Sequence, residues 1–400
     1  MILEIFIALF LGIFVGIFTG LVPGIHVNLV SVLLISSSPI LLTFTSPIVL
    51  AVFIISLAIT HTFLDAIPSI YLGAPTEAQA LNVLPGHRLL LKGLGHNAIM
   101  YTVIGALGSL LLSILLFPLF IFSMEKLSPL VSAIVGYLLI GIMAYMILKD
   151  RGKRLKALVV FLLSGALGLL VFSIPNLEQP LFPLLSGLFG FSIIIESLRQ
   201  KSIIPQQISK PLSLSAKNLT KSVSAASGMG FVAAFLPGFG SAQAAIIATN
   251  AVGDIGDEGF LTLVGGINTA NVAISIAAAY VLNKARNGAI VAVNELLGGV
   301  GFKEMILFAG VALAAGGAAS LLTIYLSKVF AKYIVKVNYT KLLLSIIIFI
   351  TLLTFYFDSF IGLTILSTAT AIGLATSSFG VGKNHLMGCL ILPVIFYFVL

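Results

Sequence analysis

Charge is what this sequence has least of. Asp, Glu, Lys and Arg make up 8% of its 400 residues, against 59% hydrophobic, a balance outside the range of water-soluble domains. That excludes a soluble fold and leaves an integral membrane protein. Cysteine occurs once, as Cys389, so no disulfide forms within the chain and the thiol is expected to fill interior space. No segment combines a charged start, a short apolar stretch and a small-residue cleavage site, and Met1 leads straight into apolar sequence with one acid, Glu4, so the first helix is expected to be retained. Catalytic signatures are missing as well. There is no His-Glu-x-x-His helix and no P-loop, and Ser241 in "GFGSA" has neither the Gly-x-Ser-x-Gly elbow nor an identifiable histidine partner. These absences predict a chain that is not an enzyme and carries no cofactor.

What is present is apolar sequence of membrane length. Uncharged runs able to cross ~30 Å of hydrocarbon recur over residues 40–60, 101–122, 157–174 and 342–357. Unpaired backbone groups in lipid cost several kcal/mol each, and these runs exceed strand length, so a barrel is excluded. The expectation is an all-α polytopic membrane protein with roughly ten to twelve transmembrane or re-entrant helical segments.

The net charge of +8 sits in short loops without stacking aromatics, which argues against nucleic acid as a partner. Basic residues gather at residues 149–156, 199–221 and 328–341, and the positive-inside rule puts all three clusters in the cytoplasm. The hairpin 157–198 then turns outside at "SIPNLEQP". The longest polar stretch, "RQKSIIPQQISKPLSLSAKNLTKS", lies near the midpoint and carries prolines that cannot continue a membrane helix. It divides the chain into a first membrane repeat over 1–198, a cytoplasmic linker over 199–222 and a second repeat over 223–400. Inverted repeats would place Met1 outside.

Each half opens with the same device. "GIFVGIFTGLVPGIHVN" and "GMGFVAAFLPGFGSAQAA" both run from a helix through a Pro-Gly break into a second apolar helix. Gly12, Gly16 and Gly20 share one helix face and favour close packing. Proline removes an amide proton and glycine a steric restraint, so Pro23-Gly24 and Pro237-Gly238 are expected to open the helical ladder. The freed amides and the dipole of the following half-helix favour an anion. His26, Asn28, Gly240, Ser241 and Gln243 complete the candidate anion site. A packed proline kink is the alternative for either break taken alone.

Two polar stretches follow the breaks. In "HTFLDAIPSIYLGAPTEAQALNVLPGHRLLLKGLGHN", His61 and Asp65 are four apart, so a helix puts them on one face where they can hold a proton or cation. Glu77, His87, Arg88 and His96 are further ionisable groups there, and Pro68, Gly73 and Pro75 suit a re-entrant course. In "GGINTANVAISIAAAYVLNKARNG", Asn268, Thr269, Asn271 and Ser275 crowd together and suit Na⁺, or else bond across helices. Asp358 is expected at a membrane boundary, and Glu295 is an isolated acid.

The stretches "GLVPGIHVN", "AAFLPGFGSAQAA" and "YLGAPTEAQALNVLPGHRLLLKGLGHNAI" resemble the large membrane subunit of tripartite tricarboxylate transporters, the TctA family, and most closely its single-chain archaeal-type members. The resemblance covers nearly the whole chain. It departs where Thr76 follows Pro75 in place of the family's glycine, where Pro85-Gly86 stands for Asp-Gly, and where a second-half Pro-Gly-Ser motif is missing. The resemblance implies a multi-pass protein of the cell membrane in which the two breaks bind a small organic anion. Na⁺ or H⁺ would be its coupling ion, at His61, Asp65, Asn268, Thr269 and Asn271. It also implies a small membrane subunit and an extracytoplasmic binding protein as partners beside the lipid bilayer. Two alternatives stay open: a translocase for a polyprenyl-phosphate lipid carrier, and a non-transporting membrane scaffold.

Overall fold

The computed structural model describes residues 2–22, 27–73, 79–150, 152–175, 177–199, 205–236, 240–283, 285, 287–335 and 338–399. Among the described residues there are helices and no strands, as expected where lipid offers backbone amides no other partner. The chain is an all-α polytopic membrane protein. Among the described residues seven helices are long and apolar enough to cross a membrane, and four shorter apolar helical stretches accompany them.

The first half begins with α1 (Ile2–Leu21), α2 (Val27–Leu41) and α3 (Pro47–Leu64). Beyond Asp65 the chain continues through a wide π turn, Pro68–Leu72, which accommodates Pro68 and ends at the left-handed Gly73. Next come α4 (Val83–Leu91), α5 (Gly95–Leu115), α6 (Phe117–Lys149) and α7 (Arg154–Ser173). α8 (Leu181–Leu185) and α9 (Ser192–Arg199) flank a second π segment. The second half consists of α10 (Ala216–Phe235), α11 (Ser241–Val252), α12 (Gly256–Leu282), α13 (Gly288–Leu297), α14 (Phe302–Ile334), α15 (Tyr339–Phe379) and α16 (Gly388–Val399). α15 is kinked at Ser359, where φ is 51°.

Two apolar runs do not form single spans. Residues 40–60 contain the end of α2, a turn and the start of α3. Residues 101–122 break at Leu116, because Pro118 starts a new helix there. The polar midpoint also does not hang free. Ile208 N–H donates to the Gly93 carbonyl at 2.8 Å, Gln207 accepts from Gly95 N–H at 2.9 Å, and Asn97 donates to the Lys210 carbonyl at 2.7 Å. The stretch is thereby strapped across the α4–α5 turn. It ends where Ser215 caps α10 by accepting from Asn218 N–H, so 216–222 is helix.

Helix directions follow from the contacts. Gly12 lies against Phe53 and Ser56, Gly16 against Leu57 and Thr60, and Gly20 against Leu64, so α1 and α3 run in parallel. α14 runs with them, with Gly316 near Ile59 and Phe63 and the Ser327 carbonyl accepting from Tyr71. In the other trio, Ser222 bonds the Gly259 carbonyl, Tyr101 bonds Ser213, and Gly105 abuts Thr262. α5, α10 and α12 are therefore parallel to one another. All three start at the face carrying the 205–215 strap, whereas α1, α3 and α14 run towards it. That linker face also carries Lys149, Lys153, Lys328 and Lys332. On the opposite face Asp358 accepts from the backbone of Glu178 and Gln179 at 2.8 and 3.2 Å.

Candidate functional site at the crossing of two helices

α2 and α11 are the two helices that follow the Pro-Gly breaks. At 1.5 Å per residue their 15 and 12 residues span roughly 22 and 18 Å, short of ~30 Å of hydrocarbon. Neither continues the helix before it across the molecule. α1 ends at the depth of Leu64, and α2 must return to the far face, because a short turn joins its end to the start of α3. α11 likewise returns to the linker face to meet the start of α12. α2 thus runs back antiparallel to α1, and α11 to α10, and the two pairs open on opposite faces.

Between the two pairs, α3 and α12 cross where the hydroxyls of Thr62 and Thr269 meet at 2.9 Å. One turn further along α3, Asp65 is 1% exposed. Its Oδ1 accepts from Gln79 Nε2 at 2.8 Å and its Oδ2 from Asn268 Nδ2 at 3.1 Å. Asn82 in turn donates to Gln79 Oε1. A buried charge needs such donors, since an unsolvated carboxylate is costly. His61 Nε2 lies 4.0 Å from Asp65 Oδ2, and its Nδ1 is 3.1 Å from Thr19 Oγ1. Thr19 gives its own proton to the Gly16 carbonyl, which ties the His61 ring to α1 as well as to the carboxylate.

The expected ion set is therefore partly assembled: His61, Asp65, Asn268 and Thr269 meet, from both halves of the chain. Asn271 sits elsewhere. Its Nδ2 donates to Ser241 Oγ at 3.3 Å, which places it with the start of α11 and the expected anion set. α12 is helical throughout this region, so Asn268, Thr269 and Asn271 offer side chains there and not unwound carbonyls. Of the expected anion set, Pro23, Gly24, His26, Pro237 and Gly238 lie outside the described residues, as do the side chains of Asn28 and Gln243. Gly240 and Ser241 are described, and Ser241 is buried. Glu77 also lies outside. His87 is buried, His96 bonds Ser327 Oγ at 2.6 Å, and Arg88 pairs with Asp257 at 2.7 Å on the surface. Sequence reasoning missed Gln79, Asn82, Thr19 and Thr62. The first two carried a signal, being amides spaced three apart in a polar stretch of an apolar chain.

On the linker side of Gln79 and Asn82 a cavity of about 560 Å³ is lined by Leu81, Pro85, Arg88, Lys149, Asn250 and Lys383, among others. Burial holds the Lys383 amine below its ordinary 10.5, at about 8, against the opposing pull of Glu196 3.8 Å away. Among the described residues no three His, Cys, Asp or Glu side chains form a metal-binding group.

The model of the tripartite tricarboxylate transporter TctA family matches residues 6–388. The chain belongs to that family. Membership of a membrane-transporter family agrees with the helical membrane architecture. An uncharacterized protein of Methanocaldococcus jannaschii is 30% identical over 355 residues, covering 86% of this chain and 88% of the relative. No solved structure matches.

Proposed function

We propose that this TctA-family protein is a secondary transporter that moves a small organic anion, recognised through a carboxylate, by alternating access coupled to Na⁺ or protons. The observation that carries this reading is Asp65, a carboxylate buried at the crossing of α3 and α12 and held by side chains from both halves of the chain. Intramembrane acids are expensive and are kept where they serve transport. A carboxylate so placed suits Na⁺ or a proton as its charge partner.

The two trios of oppositely directed helices support an inverted repeat. Thr62 and Thr269 stand 207 residues apart, and the same spacing pairs His61 with Asn268. The start of α11 points its free amides and dipole at the region of Ser241 and Asn271, which favours an anion there. The basic linker face is assigned to the cytoplasm by the positive-inside rule, which puts the start of α1 outside the cell membrane. The cavity beside Lys149 and Lys383 gives the anion a route on the cytoplasmic side. A small membrane subunit and an extracytoplasmic binding protein are the partners that family membership suggests.

Mass spectrometry of small molecules that copurify with the protein, followed by proteoliposome uptake of those anions and a carboxylate panel, tests the reading. A copurifying carboxylate that is also taken up supports it. Uptake of none of them under Na⁺ or proton gradients overturns it.

A further inference from the structure

A second cavity of about 560 Å³ opens on the linker face, away from Asp65, between the strap and the end of α14. Its wall consists of His96, residues 206–209, Lys328, Ala331, Lys332 and Val335. The lining has two ammonium groups and no carboxylate, and neither lysine forms an ion pair among the described residues. The first cavity differs, because Asp254 and Asp257 line it beside its cations. An uncompensated pair of lysines on a cavity otherwise walled by the strap suits an anion.

The surface next to it says which kind. α14 is 33 residues long, about 50 Å, so its last turns emerge from the ~30 Å hydrocarbon. Leu321, Tyr325, Lys328 and Lys332 follow one another at helical spacing along one exposed face, with Leu321 71% and Tyr325 65% exposed. That face is apolar within the bilayer, aromatic at its border and basic beyond it. A phospholipid lying along α14 would set its acyl chains on Leu321, its glycerol region at Tyr325 and its phosphate between the two lysines. We propose that this cavity binds the phosphate of an anionic membrane lipid headgroup, clamping the strap to α14. The inference does not depend on what the central site transports.

The lysines also mark the end of a helix on the basic face, a placement that topology alone explains, and the cavity is what the experiment must test. The full-length protein is reconstituted in phosphatidylcholine nanodiscs with increasing phosphatidylglycerol, and bound lipid is counted by native mass spectrometry. The wild type should retain phosphatidylglycerol. The Lys328→Gln/Lys332→Gln variant should bind it roughly 30-fold more weakly, from the usual contribution of a lysine near an anionic surface. Lys217→Gln/Lys221→Gln, which removes two exposed cations of the same face outside the cavity, should leave binding unchanged. Ser209→Asp keeps both lysines, adds a carboxylate to the wall, and should weaken binding even if the double variant fails to insert. Retained binding in Ser209→Asp overturns the proposal, as does equal loss in the Lys217/Lys221 control. Inorganic phosphate is the remaining arm. If it displaces phosphatidylglycerol and stabilises the detergent-solubilised protein equally well, the site holds a free anion and the lipid assignment is wrong.

Discussion

Replacing Asp65 by asparagine removes the charge at the centre of the molecule while keeping the shape of the side chain. In the wild type the two carboxylate oxygens accept from Gln79 and Asn268 at 2.8 and 3.1 Å, and hydrogen bonds to a charged group contribute about 1.5–3 kcal/mol each. A carboxamide keeps one acceptor and turns an N–H₂ towards the other donor. One bond then becomes neutral, and one buried donor loses its acceptor at a cost of about 1–3 kcal/mol. Against this, a charge whose insertion costs at least ~2.5 kcal/mol has gone. The two effects nearly offset, and Asp65→Asn should unfold within about 2 kcal/mol of the wild type. Asp65→Ala loses the same charge but strands both donors instead of one, and should be less stable than Asp65→Asn by about 1–3 kcal/mol. Thermal unfolding of the purified proteins, with and without Na⁺ and across pH, separates stability from ion response. The wild type should shift its midpoint with the coupling ion, and Asp65→Asn should not. The reasoning fails if Asp65→Asn is as unstable as Asp65→Ala and still responds to the ion like the wild type, for the carboxylate is then purely structural.

Four further outcomes follow from the local structure. A Cβ on Gly105 would stand 1.8 Å from the Thr262 carbonyl oxygen, so Gly105→Ala should force α5 from α12 and cost about 3 kcal/mol or more. Gly310→Ala, which meets nothing within 4 Å, should gain about 0.5–1 kcal/mol by the same unfolding measurement. Lys383 has its pKa lowered from 10.5 to about 8, so the unfolded chain binds more protons between these values and this group makes stability rise as pH rises through that window. Lys383→Met should be more stable than the wild type at neutral pH, by on the order of 1–3 kcal/mol, and should lose the rise above pH 8 in a pH series of unfolding midpoints. A double-mutant cycle of Thr62→Val and Thr269→Val should return a coupling of about 0.6 kcal/mol, typical of hydrogen bonds between membrane helices, and a coupling of zero would show that the crossing does not depend on that pair.

The fold class was legible because lipid leaves so few choices: apolar length and scarce charge dictate helices, and the Pro-Gly pairs locate where they stop. The sequence did not show that α2 runs back antiparallel to α1, or α11 to α10. A stopped helix can continue or return, and only the short turns into α3 and α12 decide between them. His61 and Asp65 were readable from a spacing of four on one helix. Gln79 was not, because it reaches Asp65 from a separate segment whose approach depends on the turn after Leu72. Asn271 was misplaced for a related reason. It is three residues from Asn268, and spacing cannot tell that one side chain meets α3 while the other meets α11. Asn97 and Gln207 hold the strap in place through backbone partners, which residue types and spacing do not reveal.

The central claim is that the buried carboxylate at the α3–α12 crossing couples an ion gradient to anion movement. Concentrative uptake of a radiolabelled carboxylate identified by copurification tests it most directly, in proteoliposomes holding either the wild type or Asp65→Asn. With an inward Na⁺ or proton gradient, the wild type should accumulate the anion above its external concentration and lose that accumulation when an ionophore collapses the gradient, whereas Asp65→Asn should only equilibrate it. Accumulation by Asp65→Asn equal to that of the wild type and equally sensitive to the ionophore would contradict the claim.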